Sequence, residues 1–119
     1  MTPPSTGPNA IGIRRTSEWI DTPLKRKLFN AFMSIHILHH AQEEPIYGTW
    51  MMEELNRHGY DMSYGTLYPL LHSLEKDGLL VSEESIHEGK RRILYRTTPL
   101  GNQTLIELNH YVKELSSEV

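Results

Sequence analysis

The chain has 119 residues, a formal net charge of −3 and no cysteine. This length fits one domain, and the lack of cysteine excludes a disulfide framework and a thiolate metal site. No apolar run approaches the roughly 20 residues of a membrane span, and the N-terminus lacks the basic start and apolar stretch of a signal peptide. We therefore expect a cytoplasmic protein that makes no contact with membranes.

Residues 1–22 are predicted to form a flexible N-terminal extension. The first ten residues contain three prolines together with Ser, Thr and Gly, and they show no periodic apolar pattern. The apolar residues that follow, among them Trp19, leave open that this part docks on the domain or on a partner subunit. For Trp50 we favour packing against the residues around Trp19, with contact to a partner or stacking on a ligand as the alternatives.

Thr22-Pro23 predicts the start of the first helix, because Thr is a good N-cap and Pro is tolerated at the first helical position. Apolar residues then recur at steps of three and four in two stripes. One stripe contains Leu24, Leu28, Ala31, Phe32, Ile35 and Leu38, and the other contains Phe29, Met33 and Ile37. A helix that is apolar on two faces needs two partners. We expect one face to pack on its own domain and the other on a second subunit.

The second predicted helix runs from about Gly48 to His58. Ile46-Tyr47 opens this segment, and Gly59 is expected to end it in the left-handed conformation.

The third predicted helix starts at Ser63 as N-cap and ends before Gly78. Its buried stripe consists of Leu67, Leu70, Leu71 and Leu74. An interior proline removes a backbone hydrogen bond, so Pro69 is easier to accommodate if the regular helix starts near Thr66.

A β-hairpin and a last helix complete the chain. β-patterned runs at residues 79–86 and 91–97 are joined by His87-Glu88-Gly89-Lys90, and short hairpin loops often require a glycine. The hairpin carries four basic residues: Lys90, Arg91, Arg92 and Arg96. Thr98-Pro99 then starts a helix to about Ser116, whose narrow apolar stripe contains Leu100, Leu105, Leu108, Val112 and Leu115. The fold class predicted is mainly α with a small β-hairpin wing.

Helix, short turn, helix and basic hairpin is the order of a winged helix-turn-helix, in which the N-terminal residues of the second helix enter the major groove of DNA. The start of that helix can also hold a phosphate, and a basic wing can grip the backbone. The candidate DNA contacts are Ser63, Tyr64, Gly65, Thr66, Tyr68 and His72 on the third helix, and Lys90, Arg91 and Arg92 on the wing. The alternative is an ordinary surface helix followed by a solvated turn.

The sequence provides no catalytic motif. It has no nucleophile elbow, no phosphate loop and no Cys/His pair, so we expect no enzyme activity. His36 and His40 can share one helical face, but a zinc site needs at least three protein ligands. Surface or interface histidines are therefore preferred, and neither a metal nor a cofactor is predicted.

The chain resembles the PadR family of bacterial transcriptional regulators between about residues 24 and 105. The residues that carry the resemblance are Ile37-Leu38, Ile46-Tyr47-Gly48, Gly65-Thr66-Leu67-Tyr68-Pro69-Leu70-Leu71, Leu74-Glu75-Lys76-Asp77-Gly78-Leu79 and Tyr95-Arg96-Thr97-Thr98-Pro99-Leu100-Gly101. The resemblance implies a homodimeric winged helix of the compact subfamily, with dimer contacts from the first and last helices, that usually represses transcription. Where family members often carry Lys or Arg, this chain has His72-Ser73, which implies weaker or pH-sensitive phosphate contacts.

These observations predict a DNA-binding domain at residues 23–97 and a C-terminal dimerisation helix at residues 98–119. The dimer contacts expected are Leu28, Phe29, Phe32, Met33, Leu105, Leu108, Val112 and Leu115. The expected partners are a second copy of the chain and double-stranded DNA with a two-fold symmetric operator. A cavity between the paired helices could admit a small aromatic or apolar effector that releases a repressor. The alternative is a protein-interaction winged helix without sequence-specific DNA binding, which the acidic net charge favours.

Overall fold

The computed structural model describes residues 22–119 and confirms a mainly α fold with a β-hairpin wing. In chain order the elements are α1 (Pro23–Glu43), β1 (Ile46–Tyr47), α2 (Gly48–Arg57), α3 (Tyr64–Lys76), β2 (Leu80–His87), β3 (Lys90–Thr97) and α4 (Pro99–Glu118). The predicted extension and the contact between Trp50 and Trp19 fall on residues 1–21, outside the described part of the chain.

Both Thr-Pro dipeptides start helices as predicted. The Thr22 hydroxyl oxygen accepts a hydrogen bond of 3.2 Å from the Lys25 N–H at the start of α1. At the start of α4, the Thr98 hydroxyl oxygen accepts one of 2.9 Å from the Gly101 N–H. Each threonine satisfies one of the backbone donors that have no partner in the first helical turn.

The core forms where α1 packs against α3, α4 and β3. Phe29, Met33 and Ile37 from α1 meet Leu67 and Leu71 from α3 in this core, and all five are almost completely inaccessible to solvent. Because the Phe29 stripe is used here, the stripe with Leu24, Leu28 and Phe32 stays exposed on the other side of α1.

Three of the predicted dimer contacts are therefore corrected. Phe29, Met33 and Leu105 are only 1%, 0% and 3% exposed, and they belong to the core of this chain. A side chain already buried within its own subunit has no surface left for a partner. The sequence pattern identified two apolar stripes on α1, but it could not show which one pointed inward. It also assigned Leu38 to the stripe with Leu24, whereas Leu38 is fully buried in the core.

α2 begins at Gly48 as predicted, and the preceding Ile46-Tyr47 forms a short strand that the sequence did not predict. β1 pairs antiparallel with β3, with Ile46 opposite Tyr95 and Tyr47 opposite Leu94. The sheet consequently has three strands in the order β1-β3-β2, where the sequence predicted two. Burial of Ile46 against the core favours an extended backbone here, and the preceding Pro45 disfavours a helix through Glu44.

Pro69 lies inside α3, because the helix begins at Tyr64 and not near Thr66. The missing N–H of Pro69 leaves the carbonyl of Gly65 without its usual helical donor. Pro69 and Gly65 are both exposed, so water can bind that carbonyl. The buried leucines on the opposite side hold the helix in place.

The wing ends in a two-residue turn. Glu88 and Gly89 have φ angles of 53° and 77°, and His87 and Lys90 form the closing pair of β2 and β3. Two consecutive positive φ angles are the signature of the tight hairpin turn whose twist matches that of the strands. The turn therefore projects Lys90 and its neighbours at the end of a regular ribbon.

The start of α4 is packed tightly against the end of α3. The Thr98 N–H donates to the Leu79 carbonyl at 3.1 Å, and the Thr98 hydroxyl donates to the Gly78 carbonyl at 2.6 Å. A Cβ atom on Gly101 would overlap the Leu79 carbonyl group. Glycine at position 101 is thus required by the close approach of two backbones.

Gly101→Ala should lower the free energy of unfolding by roughly 1–3 kcal/mol, the usual cost of overpacking, and chemical denaturation would measure it. Gly65→Ala is the matched control, because a Cβ atom there would meet nothing closer than 3.8 Å. That control should gain about 0.5–1 kcal/mol from the better helix propensity of alanine. Equal stability of Gly101→Ala and the unmodified protein would contradict the packing.

Candidate functional site

The outer face of α3 carries the predicted recognition residues. Tyr64, Gly65 and His72 are exposed, and Thr66 is half-buried. Ser63 occupies the N-cap position, but its side chain makes no capping hydrogen bond and instead lies 3.3 Å from the Thr66 hydroxyl. The first N–H groups of α3 are therefore not capped by the Ser63 side chain and can bind an anion.

Tyr68 is partly buried between α3 and the start of α2, and thus less exposed than the sequence suggested. Its ring stacks on Tyr64 with 5.5 Å between centroids. A Cβ atom on Gly48 would lie 2.7 Å from the Tyr68 hydroxyl oxygen, so the two helices approach closely here. The ring of Tyr68 thereby sets the position of α3 relative to α2.

The wing residues divide into an outer pair and an inner arginine. Lys90 and Arg91 are exposed, and Arg91 forms an ion pair with Glu84 across the ribbon. Arg92 turns towards the body of the protein, where its guanidinium donates to the Thr49 hydroxyl at 3.3 Å and lies 5.4 Å from the centre of the Tyr47 ring. Its buried Nε atom has no hydrogen-bond partner among residues 22–119.

An open groove of about 570 Å³ separates the wing from α2 and α3. It brings Tyr68 together with Lys90, Arg91 and Arg92, and its lining also includes Tyr47 and Thr49, which sequence reasoning missed. Ser63, Tyr64, Gly65, Thr66 and His72 lie outside this lining. No local pattern marks Tyr47 and Thr49, because their position beside the wing follows from the pairing of β1 with β3.

Comparison with known proteins gives one consistent result. The sequence model of the transcriptional regulator PadR-like family matches residues 37–107. The transcriptional regulator Rv3488 of Mycobacterium tuberculosis is 49% identical over 94 residues, covering 79% of this chain and 88% of that protein.

Two solved structures show the same fold. A PadR-like transcription factor from Bacteroides fragilis has a TM-score of 0.73 at 30% identity, covering 82% of this chain and 95% of that one. A PadR family transcriptional regulator from Eggerthella lenta has a TM-score of 0.70 at 33% identity, covering 80% and 84%.

This chain belongs to the PadR-like family of transcriptional regulators. The predicted family and the predicted winged fold are thereby confirmed, and the family is one of DNA-binding regulators. No helix among residues 22–119 has the length and apolar character of a membrane span.

The PadR-like chain leaves apolar surface on α1 and α4. Leu28 and Phe32 remain 48% and 39% exposed on α1, and Val112 and Leu115 remain 40% and 55% exposed on α4. Leu108 is half-buried and packs against the core. A groove of about 300 Å³ between the two helices is lined by Phe32, Ile35, His36, His39, Tyr60, Asn109 and Val112.

Three histidines from two helices meet beside this groove. His36 and His40 on α1 converge with His58 at the end of α2, and each offers a ring nitrogen within 4.8 Å of the others. Sequence reasoning considered the first two and missed His58, which the fold brings from a different helix. Its signal was a second pair at helical spacing, Glu54 and His58, matching that of His36 and His40.

Glu54 is the carboxylate of this cluster and is only 7% exposed. Its Oε2 atom lies 3.1 Å from His58 Nε2 and 3.5 Å from His40 Nε2, while Arg57 binds its other oxygen. The hydrogen bond from Arg57 holds the pKa of Glu54 below its ordinary value despite burial. Burial lowers the pKa of His36 and of His40.

Trp50 lies at the edge of the cluster. It is 42% exposed, and its ring meets the ring of His40 with 5.3 Å between centroids.

Gly48→Ala should displace the Tyr68 ring and lower the free energy of unfolding by roughly 1–3 kcal/mol. In the Gly48→Ala/Tyr68→Phe double variant the nearest atom, the hydroxyl oxygen, is gone, so part of this loss should be recovered. Urea denaturation of the single and double variants measures the coupling. Strictly additive losses would show that residues 48 and 68 are not in close contact.

Proposed function

We propose that this PadR-like regulator binds operator DNA as a homodimer and represses transcription until a small-molecule or stress signal releases it. The observation that carries the proposal is an open groove that brings the basic wing residues Lys90, Arg91 and Arg92 together with Tyr68 of α3. Two neighbouring DNA-binding elements on one surface favour a function in reading duplex DNA.

α3 is suited to the major groove. Its first turn offers hydroxyl groups from the exposed Tyr64 and the half-buried Thr66, and Gly65 lets a phosphate or base edge approach the backbone closely. The uncapped N–H groups at its start add a site for a phosphate oxygen. On this proposal, side chains of α3 read base edges while its first turn fixes the register on the duplex.

The wing is suited to phosphate contacts in spite of the formal net charge of −3. Screening limits the effect of a surface charge to about 8–10 Å, so the local cations Lys90 and Arg91 matter more than the total. The ion pair between Arg91 and Glu84 is solvent-exposed, and such pairs contribute at most about 1 kcal/mol. Arg91 can therefore exchange Glu84 for a DNA phosphate at small cost.

The dimer is supported by the apolar surface that one chain leaves uncovered. Leu24, Leu28 and Phe32 form an exposed stripe on α1, and Val112 with Leu115 forms another on α4. A two-fold arrangement that buries both stripes would allow the two copies of α3 to lie about one DNA turn apart, roughly 34 Å. Residues 23–97 then form the DNA-binding unit, and residues 98–119 the dimerisation helix.

The groove between α1 and α4 is the proposed effector site. Its volume of about 300 Å³ matches the lower end of ligand pockets, roughly 300–1,000 Å³. Phe32, Ile35 and Val112 supply apolar contacts for a flat aromatic molecule, and Asn109 supplies a polar one. Such a molecule would contact Phe32 and Val112, which are also proposed dimer contacts, and would thereby alter the distance between the recognition helices.

Lys90→Ala combined with Arg91→Ala should weaken binding to all DNA sequences alike, because phosphate contacts carry no sequence information. The slope of log K against log salt concentration should become less steep by about 2, roughly one for each phosphate that is no longer neutralised. Titration of labelled duplexes at several salt concentrations measures both effects.

The matched control is Lys27→Ala with Lys113→Ala, which removes the same charge from α1 and α4. An unchanged slope for the wing variant would exclude the wing from the interface. Absence of any preferred DNA site for the unmodified protein would instead favour the protein-interaction alternative.

Val112→Glu should convert the dimer into a monomer, because a charge would be buried in an apolar interface. At about 25 cal/mol per Å² of apolar surface, the loss in association free energy should be several kcal/mol. Val112 is a cleaner test than Leu108, which also packs in the core of its own chain. Multi-angle light scattering gives the mass.

Ile106→Glu is the control, since Ile106 is exposed on α4 but lies off the stripe formed by Val112 and Leu115. It should remain dimeric. A monomeric unmodified protein at micromolar concentration would contradict the proposed dimer, as would a Val112→Glu protein that stays dimeric.

A further inference from the structure

The histidine cluster between α1 and α2 has a composition that the packing of a winged helix does not require. His36, His40 and His58 offer three ring nitrogens, each within 4.8 Å of the others. The rings of His36 and His58 are in contact, with 5.4 Å between their centroids. Three imidazoles that converge on one point from two helices provide the nitrogen ligands that zinc, copper, iron and nickel prefer.

A largely buried carboxylate, that of Glu54, lies next to the three histidines. Glu54 lies 3.1 Å from a nitrogen of His58 and 3.5 Å from one of His40. A carboxylate beside ligating histidines orients their rings and makes them better ligands. Glu54 is itself held by Arg57, so its position does not depend on a bound ion.

We propose that His36, His40 and His58 form a binding site for one divalent transition-metal ion of the zinc class, with Glu54 as its neighbouring carboxylate. The donor set of three histidines and an adjacent glutamate matches the nitrogen and oxygen ligands of zinc. The chain has no cysteine, so the site does not select for the softer thiolate-binding ions.

The geometry needs only a small adjustment to hold an ion. Zinc–nitrogen bonds of about 2.0–2.1 Å place tetrahedral ligand atoms roughly 3.3 Å apart. The three nitrogens, now within 4.8 Å of one another, must therefore close by about 1.5 Å at most. The side chain of His58 is 43% exposed and can rotate to make this change.

A second set of groups lies nearby and shares one residue. His39, His40 and Glu43 also converge, but all three come from one stretch of α1, and His39 and Glu43 are exposed. This set contains one carboxylate and two histidines, and all of its residues lie on the same helix. The cluster with His58 offers one nitrogen more and a buried carboxylate, and it is the set we assign.

Binding of Zn²⁺ to the full chain, stripped of metal by chelation and free of any polyhistidine tag, tests the site. Competition against a chromophoric chelator should give one Zn²⁺ per chain, and Co²⁺ should give the intense visible absorption of tetrahedral coordination. His58→Gln should lower the affinity by about 10–100-fold or more, since even changes to groups around the ligands have that effect. His36→Gln should behave alike.

The controls are His110→Gln, which removes an exposed histidine of α4, and His39→Gln, which removes only the second set. Both should keep the affinity of the unmodified protein. Equal affinity of the unmodified protein and His58→Gln would overturn the site. Loss in His39→Gln with retention in His58→Gln would overturn it too, and would place the ion on the second set. Circular dichroism of each variant shows that it is folded.

The site also links two elements with different tasks, since His36 and His40 lie on α1 and His58 ends α2. An ion would fix α2, the first helix of the DNA-binding pair, against a helix of the proposed dimer interface. This consequence rests on the proposed function. Zn²⁺ should change the dissociation constant for operator DNA at least threefold in the unmodified protein and not in His58→Gln.

Zn²⁺ affinity and DNA affinity, measured separately, distinguish failure of the metal site from failure of its regulatory role or of the proposed function. Metal binding without any change in DNA affinity would make the ion structural and overturn its regulatory role. Metal binding with no DNA binding at all would contradict the proposed function and leave the metal site supported. An equal effect of Zn²⁺ on the unmodified protein and His58→Gln would show that the ion acts elsewhere.

Discussion

The burial of Leu67 and Leu71 against α1 determines the rest of the architecture. These side chains are completely inaccessible, and each contributes roughly 1.5–3 kcal/mol on removal from water. Once they point inward, Gly65 and His72 on the same helix must point outward, since each lies at least about 100° from both leucines around the helix axis. The fixed side of α3 also explains why a proline is tolerated there, because Pro69 stands on the solvated face where water can replace the missing hydrogen bond.

The local features of the fold were largely predictable from the sequence. Local sequence patterns were sufficient to predict the helix starts at Thr22 and Thr98 and the turn at Gly89. The three- and four-residue spacing of the leucines was sufficient to predict the buried stripe of α3. The strand at Ile46-Tyr47 was not predictable in this way, because two residues have no period and their conformation depends on pairing with β3, far away in sequence. The sequence also could not show which face of α1 is exposed, since both of its stripes are apolar.

The residues of the candidate sites likewise fall into two groups, those predictable from the local sequence and those that depend on tertiary packing. Residues of the wing and of α3 could be selected from charge and position alone, whereas the inward turn of Arg92 depends on Tyr47 and Thr49 across the sheet. The histidine cluster is the clearest case. His36 and His40 are neighbours by helical geometry, but His58 joins them only through the packing of α2 on the domain. The spacing of Glu54 and His58 marks those two as neighbours but does not show this packing.

The anchoring of Arg92 has a consequence for how the protein would fit a duplex. Pairing of β1 with β3 and the hydrogen bond from Arg92 to Thr49 join the base of the wing to the start of α2. These contacts restrict movement of the base of the wing relative to α2, which favours one spacing between the two elements. On the proposed function, mismatched spacing would be accommodated by bending or twisting of the DNA. Sequences that deform easily would then be preferred even at base pairs that no side chain contacts.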